Sequence, residues 1–233
     1  MKITALLTGK KNSSFKRKNE IRILNDYVFN FAAKEAKKVK KINSFYTSSD
    51  SKIILNQTKK IGFQSIIRPK KLSKKNSKHI DVLKHSLEIL KKKNDFPDII
   101  VVLLANAPIT KSKWISDCIN TLIKNKNLSA VVPVLKLNDH HPERAKKLQN
   151  GILKNFIKKK QISSNRQDLT ECFFLCHNFW VIRTDEIYKN NGQAPWNFMG
   201  KKVKSYKIKN SIDIHEPIDL EIAKILLKND KFI

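Results

Sequence analysis

The chain has 233 residues with ordinary globular usage, 40% hydrophobic and 29% charged, which excludes a disordered tail; no apolar run approaches membrane-spanning length. Its 48 basic against 20 acidic residues give a formal net charge of +28, yet only Arg17, Arg22, Arg68, Arg144, Arg166 and Arg183 are arginines, so the guanidinium forks that read nucleic-acid bases are scarce. Three cysteines, Cys118, Cys172 and Cys176, are too few and odd in number for a disulfide framework and fit a reducing compartment, with the cytoplasm expected.

In chain order, blocks of β-like residues alternate with blocks of helical period, the pattern of a mainly parallel sheet with crossover helices. Ile3 to Leu7 is too short for a signal-peptide core and reads as the first strand. Strands are expected next at Ile42 to Tyr46 and Ser65 to Ile67. Ile80, Leu83, Leu87 and Leu90 then recur at helical spacing. The run Ile99 to Leu104 is apolar on both faces, as a central strand covered on each side must be. A helix follows through Trp114 or Ile115, Cys118 and Leu122, then strands at Ala130 to Leu135, Phe179 to Arg183 and Val203 to Ile208. The last helix, with Leu220, Ala223 and Leu227 facing inward, has its start at Glu216-Pro217, since proline suits the first helical position. Between these, the basic segment 137–177 lacks a clear period and reads as an excursion from the sheet. One domain, 1–233, is expected.

Ligands of open α/β sheets sit beyond the carboxyl ends of the strands, so residues just after each strand carry the chemistry. The first strand leads into Thr8-Gly9-Lys10-Lys11-Asn12-Ser13 and on to Lys18-Asn19, a loop dense in donors and cations that can cradle a triphosphate. It is neither a Walker A loop nor a G-x-G-x-x-G turn. Ser48-Ser49-Asp50 follows the second strand, and Arg68-Pro69 the third, with Ser77 and a helix carrying Asp81-Val82 and His85 beyond. Further on stand Asn106-Ala107-Pro108, Arg166-Gln167-Asp168, Trp196 with Met199-Gly200-Lys201, and Ser211-Ile212-Asp213-Ile214-His215-Glu216-Pro217-Ile218-Asp219-Leu220.

In this collinear order, over nearly the whole chain, the sequence resembles the acylneuraminate cytidylyltransferases. The resemblance implies a three-layer Rossmann-like sheet of the nucleotide-diphospho-sugar transferase type, with the excursion serving dimerisation. It implies transfer of CMP from CTP to an acidic nine-carbon sugar of the sialic-acid type, with release of pyrophosphate, by a homodimer using Mg²⁺. Leu7, Gly9, Lys10, Asn12, Ser13, Lys18, Arg68, Ser77 and Asn106 then fall at the nucleotide. Asn106, His141, Arg144, Arg166, Gln167 and His215 fall at the sugar, and Lys18, Arg68 and Asp213 carry catalysis. Asp213 matches the first aspartate of the family's Asp-x-Asp metal element.

This chain departs from the pattern in three places. His215 stands where the second metal aspartate belongs and suits Mg²⁺ poorly, so either Asp219 shares the metal or His215 contacts the sugar; Asp219 also reads as a helix cap. The first loop lacks an Arg-Gly-Gly run, and Leu104 replaces a glutamine usual in the central strand. Three smaller readings complete the set. Cys172, Cys176 and His177 lack the second pair a zinc site needs, so the cysteines read as core residues. His140-His141-Pro142 with Arg144 is either a proton-transfer pair or a turn. A basic, non-catalytic nucleic-acid-binding α/β protein is the alternative of another class, and neither nucleic acid nor membrane is the expected partner.

Overall fold

The computed structural model describes residues 1–11, 17–137, 140–158, 162–229 and 231. Its strands are β1 (Ile3–Thr8), β2 (Arg22–Ile23), β3 (Asp26–Tyr27), β4 (Ser44–Ser49), β5 (Gln64–Ile67) and β6 (Ile99–Leu104). They continue as β7 (Ala130–Lys136), β8 (Lys146–Gln149), β9 (Ile152–Asn155), β10 (Phe173–Leu175), β11 (Phe179–Arg183) and β12 (Val203–Lys207). The helices are α1 (Val28–Lys37), α2 (Lys52–Lys60), α3 (His79–Lys92), α4 (Ser112–Lys124), α5 (Thr184–Lys189) and α6 (Pro217–Lys228).

An eight-stranded mixed sheet forms the middle layer. β1 pairs in parallel with β4 and β6, and β4 with β5. β11 runs antiparallel between β6 and β7, and β12 returns parallel to β7. Because side chains alternate across a strand, β6 serves two cores at once. Ile99, Val101 and Leu103 pack with Phe29 and Ala33 of α1 and with Ile115, Cys118 and Leu122 of α4. Ile100 and Val102 pack on the other face with Leu83, Leu87 and Leu90 of α3 and with Ile187 of α5. Each such fully buried aliphatic side chain stabilises the fold by about 1.5–3 kcal/mol relative to exposure. This is the α/β three-layer class expected from the alternation of elements.

The expected strands agree with the observed ones to within one residue at each end, except β4. The one expected to open at Ile42 opens at Ser44, because the Ile42 N–H closes the turn after α1 on the Val39 carbonyl at 3.1 Å and the side chain tucks under the core. α6 begins at Pro217 as expected, with a reciprocal cap between Glu216 and Asp219. Within 137–177 the structure places the two-stranded hairpin β8–β9 and the short edge strand β10. Among the described residues no helix is long and apolar enough to cross a membrane.

Candidate active site

A cleft of about 730 Å³ opens at the carboxyl ends of β1 and β6. Thr8, Gly9 and Lys10 form one lip, Lys18 and Asn19 follow, and Leu104 and Asn106 supply the floor. Arg68 and the segment Ser73, Lys74, Lys75 and His79 form the facing wall. Glycine at position 9 has a local cause: a Cβ there would stand 2.6 Å from the Ala105 Cβ, so the first loop can cross the β6 end only without a side chain. The loop is then held down. Gly9 N–H donates to the Ser48 carbonyl at 3.3 Å, Lys11 N–H to Asp50 Oδ1 at 2.8 Å, and Asn19 Nδ2 to the Lys10 carbonyl at 2.8 Å.

The cations of the cleft are held without full solvation. Arg68 is buried, with Nη2 donating to the Ser48 carbonyl at 2.7 Å; burial pulls its pKa down to about 10, with Asp50 opposing, so it stays charged at neutral pH. Ser48 and Asp50 therefore act as the joint between the first loop and Arg68. Lys18 is also buried, and its pKa is lowered, first by desolvation, against the attraction of Asp213 and Asp219. A half-desolvated cation gains most from an incoming phosphate, because the penalty of burial is already met.

Asp213 lies where the chain returns to the cleft between β12 and α6, pinned by the adjoining Ile214 N–H on the Asn106 carbonyl at 2.9 Å. Asp213 Oδ2 accepts from His177 Nδ1 at 2.7 Å, with His215 Nε2 at 3.7 Å. Lys18 Nζ reaches His215 Nδ1 at 3.0 Å; an ammonium can only donate, so the proton of neutral His215 sits on Nε2. Asp213 Oδ1 is buried and has no hydrogen-bond partner among the described residues. Among the described residues no three His, Cys, Asp or Glu side chains are arranged to hold an ion by themselves. The orphaned Asp213 oxygen nonetheless fits Mg²⁺, which is commonly held by one or two carboxylates plus substrate phosphates.

The cleft thus gathers Gly9, Lys10, Lys18, Arg68 and Asn106 from the expected nucleotide set, and sets Asp213 and His215 against Lys18. Asn12 and Ser13 lie outside the described residues. Other expected residues stand elsewhere. Leu7 is fully buried in the α1–α4 core, because it alternates inward on β1. Ser77 does not line the cleft; its hydroxyl donates to the Lys71 carbonyl at 2.9 Å and closes the loop before α3. Asp219, expected to share the metal, spends Oδ2 on the N–H groups of His215 and Glu216 at 2.7 and 2.8 Å, so it acts as the cap of α6. His141 has both ring nitrogens engaged, Nδ1 accepting from Glu143 N–H at 3.2 Å and Nε2 facing the Thr170 carbonyl at 2.9 Å. These two contacts seat the ring in the turn at Pro142. Arg144, Arg166 and Gln167 are exposed on the excursion and do not line the cleft.

Sequence reasoning missed two histidines. His79 lies against Trp180 and Phe198 at 5.3 and 6.2 Å between ring centroids, with Nε2 3.1 Å from the Thr8 hydroxyl. Burial, then the charges of Arg68 and His177, push its pKa down to about 3, so one edge of a neutral imidazole faces the cleft. His177 was considered only for zinc, yet it grips Asp213. The available signal was its place just before β11, an antiparallel strand whose first residue meets the carboxyl end of β6. Lys74 and Lys75 were concealed in the general abundance of lysine.

A family model described as cytidylyltransferase matches residues 12–223. No curated protein matches. Among solved structures, CMP:2-keto-3-deoxy-manno-octonic acid synthetase complexed with CTP superposes with a TM-score of 0.71 at 12% identity, covering 99% of this chain and 100% of that one. The 4-diphosphocytidyl-2C-methyl-D-erythritol synthase of Anaerococcus prevotii DSM 20548 gives 0.65 at 15% identity, with 98% and 96% covered.

Proposed function

The chain belongs to the cytidylyltransferase family, and from that premise we propose that it transfers CMP from CTP to a sialic-acid-like nonulosonic acid. The single observation that carries this reading is the meeting of Lys10, Lys18 and Arg68 in one cleft beyond the sheet's carboxyl edge, with the Asp213 carboxylate acting on Lys18. Cations there hold the triphosphate, and Asp213 with the phosphates holds Mg²⁺. When bound, Mg²⁺ neutralises charge on the α-phosphate and the leaving pyrophosphate. The anomeric hydroxyl oxygen of the sugar acid forms the new bond to the α-phosphorus, the bond from that phosphorus to the bridging oxygen breaks, and the hydroxyl proton passes to solvent. Positioning and electrostatics do the catalysis, with no covalent enzyme intermediate.

The choice of a nine-carbon acid is supported by a second, apolar pocket of about 340 Å³ lined by Val132, Val134, Phe174, Trp196 and Met199. The His177 ring links a residue of this pocket to Asp213, lying 5.5 Å from Trp196 and hydrogen-bonded to the carboxylate. Such a wall suits the acyl and deoxy substituents of nonulosonic acids better than the hydroxyls of 2-keto-3-deoxy-manno-octonic acid. A homodimer is supported by the β8–β9 hairpin, where Leu148, Ile152 and Leu153 are 72%, 63% and 66% exposed, with Phe156 beside them at 65%. An apolar ribbon of that kind is ordinarily covered.

The test is pyrophosphate release with CTP, UTP, ATP and GTP against sialic, legionaminic, pseudaminic and 2-keto-3-deoxy-manno-octonic acids. Strong preference for CTP with a nonulosonic acid is expected. Turnover confined to the eight-carbon acid, or to a neutral sugar phosphate, refutes the substrate assignment.

A further inference from the structure

We propose that His177 is a positioning residue that fixes the carboxylate of Asp213, an inference resting on the Mg²⁺ role given to Asp213 above. Asp213 occupies an irregular stretch between β12 and α6, where no ladder restrains its side chain. Its partner supplies the restraint. A carboxylate only accepts, so the 2.7 Å contact places the ring proton of His177 on Nδ1 and commits Oδ2, leaving Oδ1 as the oxygen without a partner among the described residues.

The imidazole is itself held on three sides. Its centroid lies 5.7 Å from Trp180, 5.5 Å from Trp196 and 6.4 Å from Phe174, with interplanar angles of 77°, 66° and 72°. Edge-to-face packing of this kind is directional, so the ring cannot swing without losing contacts. The neighbouring residue repeats the arrangement: Asn178 is fully buried and its Oδ1 accepts from the Ser211 hydroxyl at 2.8 Å, two residues before Asp213. The pair at the start of β11 thus grips the Asp213 segment twice, once by its hydroxyl side chain and once by its carboxylate. A hydrogen bond that orients a metal-ligating carboxylate typically changes metal affinity ten- to a hundredfold when removed.

Two variants separate positioning from packing. His177→Phe keeps a ring among Trp180, Trp196 and Phe174 and deletes the donor; His177→Asn keeps an N–H near the place of Nδ1 and gives up ring contacts. Mn²⁺ binding in the presence of CTP, followed by electron paramagnetic resonance, is expected to weaken about ten- to a hundredfold in His177→Phe and to recover in large part in His177→Asn. Thermal melting, by contrast, should fall more in His177→Asn. In the metal-free wild-type protein, nitrogen NMR should show His177 protonated at Nδ1. A phenylalanine variant that binds Mn²⁺ with CTP as tightly as wild type, or a His177 with its proton absent from Nδ1, overturns the proposal. Wild-type protein that binds Mn²⁺ with this His177 dependence but transfers no CMP supports the positioning role and refutes the functional reading instead.

Discussion

Lys18 Nζ and His215 Nδ1 stand 3.0 Å apart, which sets a buried ammonium against the residue that takes the place of the resembling family's second metal aspartate. The folded state lowers the pKa of this lysine, and at neutral pH the unfolded chain holds the proton more readily; the burial is therefore a cost to stability that phosphate binding offsets. Lys18→Met should leave the melting temperature unchanged or raised while lowering kcat/KM for CTP about a hundredfold, the scale of losing one preorganised donor. Calorimetry beside a steady-state assay decides it: a variant that melts lower and keeps full activity contradicts the assignment.

Asp213 and Asp219 should separate cleanly by mutation. Asp213→Asn is expected to fold normally and lose at least a hundredfold in Mg²⁺-dependent turnover, because its neutral amide no longer offers a charged oxygen. Asp219→Ala should cost about 1 kcal/mol of stability through the lost cap of α6, with less than a tenfold change in the Mg²⁺ needed for half-maximal rate. Equal Mg²⁺ phenotypes in the two variants would contradict the division of labour.

His79 makes the fold sensitive to acid. Its folded pKa, near 3, lies below the unfolded value of 6.5, so the unfolded chain binds the extra proton between those limits. Stability from the neutral ring is complete above pH 6.5 and is lost as the pH falls toward 3, with a slope of up to about 1.4 kcal/mol per pH unit from this one group. Denaturant titrations at pH 7, 5.5 and 4 should show a shallower decline in His79→Phe than in wild type. Parallel declines would show that the ring is not held neutral.

The exposed hairpin predicts the assembly. Leu153→Lys with Phe156→Lys should yield a soluble monomer by light scattering where the wild type gives a dimer. A wild-type monomer at assay concentration removes the dimer from the proposal.

Much of the architecture was legible because its signals are local. The uninterrupted apolar run of β6 requires cover on both faces, and Leu83, Leu87 and Leu90 repeat at the spacing that supplies it. The cationic half of the cleft was legible for the same reason, since Lys10, Lys18 and Arg68 directly follow strands or close the first loop. What stayed hidden depends on distant pairings. Nothing near His177 in sequence announces Asp213, and nothing near His141 announces the Thr170 carbonyl that engages its ring. Asp219 was ambiguous because a cap and a metal ligand use the same residue type beside a helix start. The inward direction of the Leu7 side chain was not legible from the resemblance, which carries a position, whereas alternation along β1 decides which way a side chain points.

The two tethers that close the cleft, Ile214 N–H on Asn106 and Lys18 on His215, join segments about a hundred and two hundred residues apart. During synthesis the first loop, Arg68 and the α3 wall emerge long before Asp213 does. The early chain therefore carries the cations that attract a nucleotide and lacks the carboxylate that would let it react. Contacts of such sequence separation form against the largest loop-closure entropy in the molecule, so the reacting half of the site is the last part to be assembled and the first to be lost when the chain ends early.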